Sequence, residues 1–421
     1  MNSFQTIVLG IFGFFIIAGL LVIATVKARG GDARVEIAIW GSAPSAEIDD
    51  LRERFFSKND LRGVSYRSIP AESFDQELLE SLAAGRGPDL LLLPAELLLR
   101  YRDKLALIPY ANYSARQFRD TFIQEGDLFL LPDGIAALPF SLDPLVMYWN
   151  RDFLDEAGIA TPPKYWDEFL LLANNLTLKD ELGNISRSAI ALGEYRNIAS
   201  AKEILSALFL QSGNPIVSPD SSGVFRASLG QSSASAVLDF YTEFANPLKP
   251  VYSWNRSLPL STSAFLSSKL AVYFGFGSEH AALRKGNPNL NFDVAVLPRP
   301  RNATVDLTYG RLTGIAILRS SRNPAPALQV AYTLVSPKVA ARLTEQSGLP
   351  PVQRGILASK PTDPFGAVAY DSAARARGFL DPNPRVTAEA FKQMVEAVTS
   401  GRERSSEALS RANAQLQAAL R

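Results

Sequence analysis

Apolar residues recur along this chain with two alternating periods. Val35, Ile37 and Ile39 alternate with polar neighbours, the period-2 signature of a half-buried strand, and the run ends at Trp40-Gly41-Ser42. Residues 48–56 then follow as a helix. Residues 64–69 read as a second strand, Phe74, Leu78 and Leu82 as the inner face of a helix that Gly85 closes, and residues 89–93 as an unbroken apolar strand of a buried parallel sheet. This βαβαβ succession predicts an α/β fold.

The second strongly patterned region is 138–177. Val146 and Tyr148 fall in a buried strand, and Asn150 offers an N-cap oxygen. Phe153, Leu154 and Ala157 carry helical spacing, and Gly158 stands where a left-handed C-cap is wanted. Thr161-Pro162-Pro163 predicts the start of a second helix with Trp166, Phe169, Leu170 and Ala173 on one face. Strand, short helix, proline elbow and helix in this order read as the passage of the backbone from one lobe into another, although any αβ unit would show the same pattern. The alternation continues to the C-terminus. Two amphipathic helices end it, one presenting Phe391, Met394, Val395 and Val398, the other Leu409, Ala412, Leu416 and Leu420.

Composition sets the scale. With 421 residues, 47% hydrophobic and 20% charged, the chain is long enough for two compact lobes with their own cores. A net charge of +1 with interspersed signs lacks the basic block that nucleic-acid binding needs. Without cysteine there are no disulfides and no thiolate metal site.

The N-terminus stands apart. Residues 7–26, IVLGIFGFFIIAGLLVIATV, carry no charge and match the ~20 residues that cross a bilayer's hydrocarbon core. No basic residue precedes them, and the run exceeds a signal-peptide core. They predict one uncleaved transmembrane helix, with cleavage after Ala28 as the alternative. Lys27, Arg29 and Arg34 follow it, and charge alone would place that flank in the cytoplasm.

Catalytic signatures are sparse. His280 is the sole histidine and reads as a helix start, no His/Cys cluster has metal-ligand spacing, and no phosphate-binding loop is present. Gly275-Phe276-Gly277 lacks the third glycine of a dinucleotide fingerprint, where His280 stands instead. No cofactor, no metal and no enzymatic activity are expected.

Several segments share one further property. Leu138-Pro139-Phe140, Met147-Tyr148-Trp149-Asn150-Arg151, Ala157-Gly158 and Pro162-Pro163-Lys164-Tyr165-Trp166-Asp167-Glu168 resemble, in order and spacing, the hinge crossing of family 1 extracellular solute-binding proteins. These are the maltose-binding-protein-like receptors of ABC importers. The strand after Gly87-Pro88, residues 270–278, the FDVAVLP run at 292–298, residues 310–317 and Leu349-Pro350-Pro351-Val352 resemble further family segments, so the likeness covers roughly 35–421.

The resemblance implies a two-lobed periplasmic-binding-protein-like fold with hinge crossings, preceded here by the membrane helix. Its lobes would be 35–142 with 316–358 and 143–315 with 359–421, behind an anchor and linker at 1–34. It further implies capture of a small solute, a saccharide above all, outside the cytoplasm and delivery to ABC permease subunits, and this sets the side of the membrane against the charge rule. Ligand-binding candidates are the aromatics Trp40, Trp149, Trp254 and Phe276 and the polar residues Glu96, Asp143, Tyr309 and Arg311. Trp40 at a strand's carboxyl end either stacks on ligand or packs under the sheet edge, and Glu96 either accepts hydroxyls or decorates a first helical turn. Asp143 with Glu96 could instead form a glycosidase pair, making a cell-surface hydrolase the alternative; a scaffold without transport is another.

Overall fold

The structure, a computed structural model, describes residues 36–56, 63–230, 232–303 and 305–420; the expected membrane helix at 7–26 and its linker lie outside them. No helix of the described residues is long and apolar enough to cross a membrane.

The opening pattern folds as its periodicities dictate. Strands β1 (Ile37–Gly41), β2 (Val64–Ser68) and β3 (Leu90–Pro94) run parallel, with Ile37 opposite Val64 and Ile39 opposite Leu90. Ile37 and Ile39 point inward and are both buried, and Leu90 to Leu93 are buried on both faces, as a central parallel strand requires. Helix α1 (Ser45–Phe56) lays Ile48, Leu51 and Phe56 on the sheet, and α2 (Ala71–Ala83) does so with Phe74 and Leu78. Gly85, at φ +66°, lets the Arg86 amide reach back to the Ser81 carbonyl and close α2.

Two long strands then join the halves. Strand β4 (Leu138–Asn150) is thirteen residues long. Its partner comes much later in the chain, after α3 (Glu168–Leu176), β5 (Ile185–Ile190), α4 (Ala201–Gln211) and β6 (Leu270–Phe276). That partner, β7 (Thr308–Leu318), pairs antiparallel with the first part of β4, from Leu138 opposite Ile315 to Pro144 opposite Gly310, while the second part of β4 pairs with β6. One sheet therefore runs β2-β1-β3-β7-β4-β6-β5 through both halves, with Leu178–Lys179 at its far edge.

The apolar residues separate into two cores along these strands. One holds Ile37 to Leu142 and returns with Leu312, Ile315 and the helices up to Leu357; the other holds Leu145 to Tyr309 and the C-terminal helices. The change falls between Leu142 and Leu145 and again between Tyr309 and Leu312. A third passage follows helix α5 (Pro364–Arg375), whose Tyr370 and Ala373 pack on the first core while Phe365 and Val368 pack on the second. Helices α6 (Pro384–Thr399) and α7 (Ser405–Ala419) close the second core with the apolar stripes read from the sequence.

One boundary differs from expectation. Asn150 and Gly158 cap the short helix as predicted, but α3 begins at Glu168 rather than at the prolines. The intervening Lys164 to Trp166 pairs its backbone with Arg299, and the Glu168 carboxylate accepts from the Lys164 and Tyr165 amides. Those amides have partners without a helical turn, so none forms there.

Candidate functional site

A cavity of about 430 Å³ opens between the two cores. Pro94, Ala95 and Glu96 reach it from the end of β3, and Lys202 and Glu203 from the first turn of α4. Tyr309 to Thr313 line it from the crossing strand β7, and Gly378 and Phe379 from the last passage. A second cavity of about 770 Å³ adjoins it, and the two share Glu125, Leu128, Gly378 and Phe379 on their walls. The smaller cavity lies at the carboxyl end of β3, where open α/β sheets bind ligands.

Lys202 ties three separate stretches of chain together. Its ammonium lies 3.0 Å from Glu96 Oε2 and 3.4 Å from Asp381 Oδ2. Asp381 is 2% exposed, and its other oxygen accepts from the Thr387 hydroxyl at 2.5 Å. Burial pulls the lysine pKa down, but Glu96 and Asp381 outweigh it and hold the ammonium well above its ordinary value. The residue before α4 is conformationally unusual. Ser200 adopts a left-handed backbone (φ +58°), a conformation a non-glycine residue keeps only where its surroundings enforce it.

Arg311 is the second centre. Its guanidinium carbon sits 3.6 Å from the centroid of the Phe276 ring, and Nη2 donates to Glu203 Oε1 at 3.2 Å. Half its side chain remains exposed to the cavity. Burial lowers its pKa, but Glu203 and Asp143 more than compensate, so the group stays fully charged with donors to spare. The buried Tyr309 lines the same wall, and burial raises its phenol so that it remains a neutral hydroxyl.

The sequence candidates thus divide. Glu96, Tyr309 and Arg311 meet around the smaller cavity. Phe276 is fully buried and takes part only as the platform under Arg311. Asp143 does not line the cavity; its carboxylate accepts from the Ser278 amide at 3.0 Å and hydroxyl at 2.6 Å, holding the turn after β6.

The remaining expected platforms are corrected. Trp254 does not line the cleft: it is 1% exposed and its indole N–H donates to Asn197 Oδ1, because the polar loop around it folds down onto the second core. Trp149 is likewise a core residue, held opposite Val272 on β6. Trp40 is half-buried beside the first core with the Arg67 guanidinium 4.6 Å over its ring; it packs on the sheet and is not among the residues lining the cavity. His280 starts a helix, as read, and stacks on Phe365.

Lys202, Glu203, Glu125 and Asp381 were not singled out from the sequence. A signal existed for the first two. The helix AKEILSALFLQ has no polar face beyond its first turn, so a charged pair there had to be buried and paired or to face a site.

This is the geometry of a two-lobed α/β fold, with charged and polar groups gathered on the crossing strand β7 and on the facing lips of both lobes. The description Bacterial extracellular solute-binding protein fits residues 43–341, and the chain belongs to that family, one of binding proteins and not of enzymes. Its curated relatives include binding proteins of Brucella abortus (strain 2308) and Brucella suis biovar 1 (strain 1330), each 24% identical over 358 residues, 80% of either chain. Among solved structures, the sugar-binding protein MalE from Xanthomonas citri superposes with a TM-score of 0.75 at 18% identity, over 92% of this chain and 97% of that one. A cyclic alpha-maltosyl-1,6-maltose binding protein from Arthrobacter globiformis gives 0.73 at 16%, over 92% and 99%. A cyclo/maltodextrin-binding protein complexed with maltotetraose gives 0.72 at 16%, over 91% and 96%. At these identities the solved structures establish the fold.

Proposed function

We propose that the chain captures an uncharged, hydroxyl-rich solute of the carbohydrate class between its lobes and, closed upon it, is recognised by an ABC permease. The observation that carries this reading is the pairing inside the cavity: Lys202 with Glu96 and Asp381, Arg311 with Glu203. Charges so compensated offer strong donors and acceptors for hydroxyl groups while giving an ionic solute no unpaired counter-charge. The maltodextrin- and maltose-type ligands named for the solved neighbours support the same class.

Closure on the solute would stabilise the lobe arrangement that a permease selects. Residues 7–26 would tether the lobes to the outer face of the membrane, in keeping with an extracellular family. Thermal unfolding of the full-length protein in detergent tests this, since a solute that binds only the folded state raises the midpoint. The expected result is a rise of several degrees with maltose, maltotriose or a polyol, markedly smaller in Arg311→Ala at the same solute concentration. A rise with amino acids alone, or with no saccharide or polyol, overturns it.

A further inference from the structure

The wall shared by the two cavities contains a carboxyl group that neither core nor ion pairs account for. Glu125, in the turn Gln124–Phe129 of the first lobe, is 2% exposed. Its Oε2 accepts from the Gly378 amide at 2.8 Å, across the third passage of the chain, and its Oε1 has no partner. The approach is as close as backbone permits, since a Cβ on Gly378 would lie 2.6 Å from Oε1. Leu128 and Phe379 flank the pair on both cavity walls.

We propose that Glu125 is a specificity-determining residue of the cleft, whose Oε1 carries a proton and donates a hydrogen bond to an oxygen of a solute bound where the two cavities meet. The assignment rests on the carbohydrate reading above. An unpartnered polar atom this deeply buried is costly; Oε1 has no open surface in this arrangement, and a small shift of the Gly378–Phe379 passage, which lines both cavities, would admit a solute oxygen as the missing partner. Oε2 already accepts, so the proton belongs on Oε1.

The charges around it agree. Burial pushes the carboxyl up to about 8, more than Arg377 and the Gly378 amide pull it down, and Asp127 on its own turn adds to the rise. Arg377 directs its guanidinium to Gln124 Oε1 and the Ala376 carbonyl, and Asp127 pairs with Arg119. The cavity's other charges, Lys202, Glu96, Arg311 and Glu203, are engaged with one another or with Asp381. Glu125 therefore has no cationic partner to keep it ionised, and at neutral pH it is a neutral acid able to donate.

The experiment is calorimetric titration of the full-length protein with maltotriose and with glucose at about pH 6.5 and about pH 9.5, on either side of the Glu125 transition, for wild type, Glu125→Gln and Glu125→Ala. Wild type is expected to bind about tenfold more weakly at the higher pH. Glu125→Gln, whose amide still donates, should stay within about threefold of wild type at the lower pH and lose the pH dependence, while Glu125→Ala should be about tenfold weaker there. A flat wild-type profile, a Glu125→Gln profile that still falls, or Glu125→Ala binding like wild type overturns this inference and leaves the carbohydrate reading standing. No binding of either sugar by wild type overturns this inference, and the carbohydrate reading falls with it only where the thermal panel shows no rise with any saccharide or polyol.

Discussion

The Arg311 guanidinium carbon lies over the Phe276 ring, 3.6 Å from its centroid, with one of its nitrogens held by Glu203. Ring and carboxylate together fix the fork before any solute arrives, so little side-chain entropy remains to be lost on binding. Lysine can reproduce the charge but not the planar stack or the fork. Arg311→Ala and Arg311→Lys should each weaken solute binding by about tenfold to a hundredfold, the range of a hydrogen bond to a charged group. Titration calorimetry of both variants reads this, and a lysine variant that binds like wild type would remove the stack from the account.

Lys202 links Glu96, whose side chain is 41% exposed, to Asp381, whose side chain is 2% exposed, and the two partners should behave differently. Removing the lysine strands a buried carboxylate at the third passage, which for a broken buried pair costs about 3–5 kcal/mol. Removing the exposed partner leaves Lys202 still paired with Asp381, at a cost of about 1 kcal/mol or less. Urea unfolding of Lys202→Met and Glu96→Gln should show that order. Equal losses would mean that Asp381 finds another partner.

Much of this arrangement was legible beforehand, and the residues show why. Periodicity places Ile37, Ile39, Phe74 and Leu78 in a core because burial of one face is a local, repeating demand. Tyr309 and Arg311 were legible as hinge residues through the resemblance of the strand they sit on. The aromatics were not, because a tryptophan in a polar loop gives the same sequence signal whether the loop stands in solvent or, like that of Trp254, folds onto a core. Glu125, Lys202 and Asp381 lie 77 and 179 residues apart along the chain and become a site only when three passages of backbone converge; no window of sequence contains that fact.

Glu125 also makes a prediction about stability. Its carboxyl titrates at about 8 in the folded protein against 4.5 ordinarily, because burial disfavours the charged form. Between those values the folded state binds a proton that the unfolded chain has released, so stability falls as pH rises through the window and levels off above it. Glutamine has no proton to lose. The unfolding midpoint of Glu125→Gln relative to wild type should climb steadily from pH 4.5 to about 8 and then stay constant. A difference that does not change with pH would show that the carboxyl is ionised in the fold throughout.

The hinge strand carries its own constraint at Gly314. Its φ is not in the left-handed region, so space and not backbone freedom is at issue: a Cβ there would lie 2.5 Å from the Phe129 ring and 2.8 Å from the Ala137 Cβ. The pairing of β7 with β4 shifts register at this point, between Thr313 and Gly314, and the Phe129 ring fills the space beside the glycine that results. Gly314→Ala should therefore cost about 1–3 kcal/mol, as overpacking of a tight interior does. If the ring is the obstacle, Phe129→Leu should absorb part of that cost, and the double variant should be more stable than the sum of the single losses. A double-mutant cycle by urea unfolding measures the coupling. Strict additivity would place the strain in the Ala137 contact or in the strand backbone, and not in the Phe129 ring.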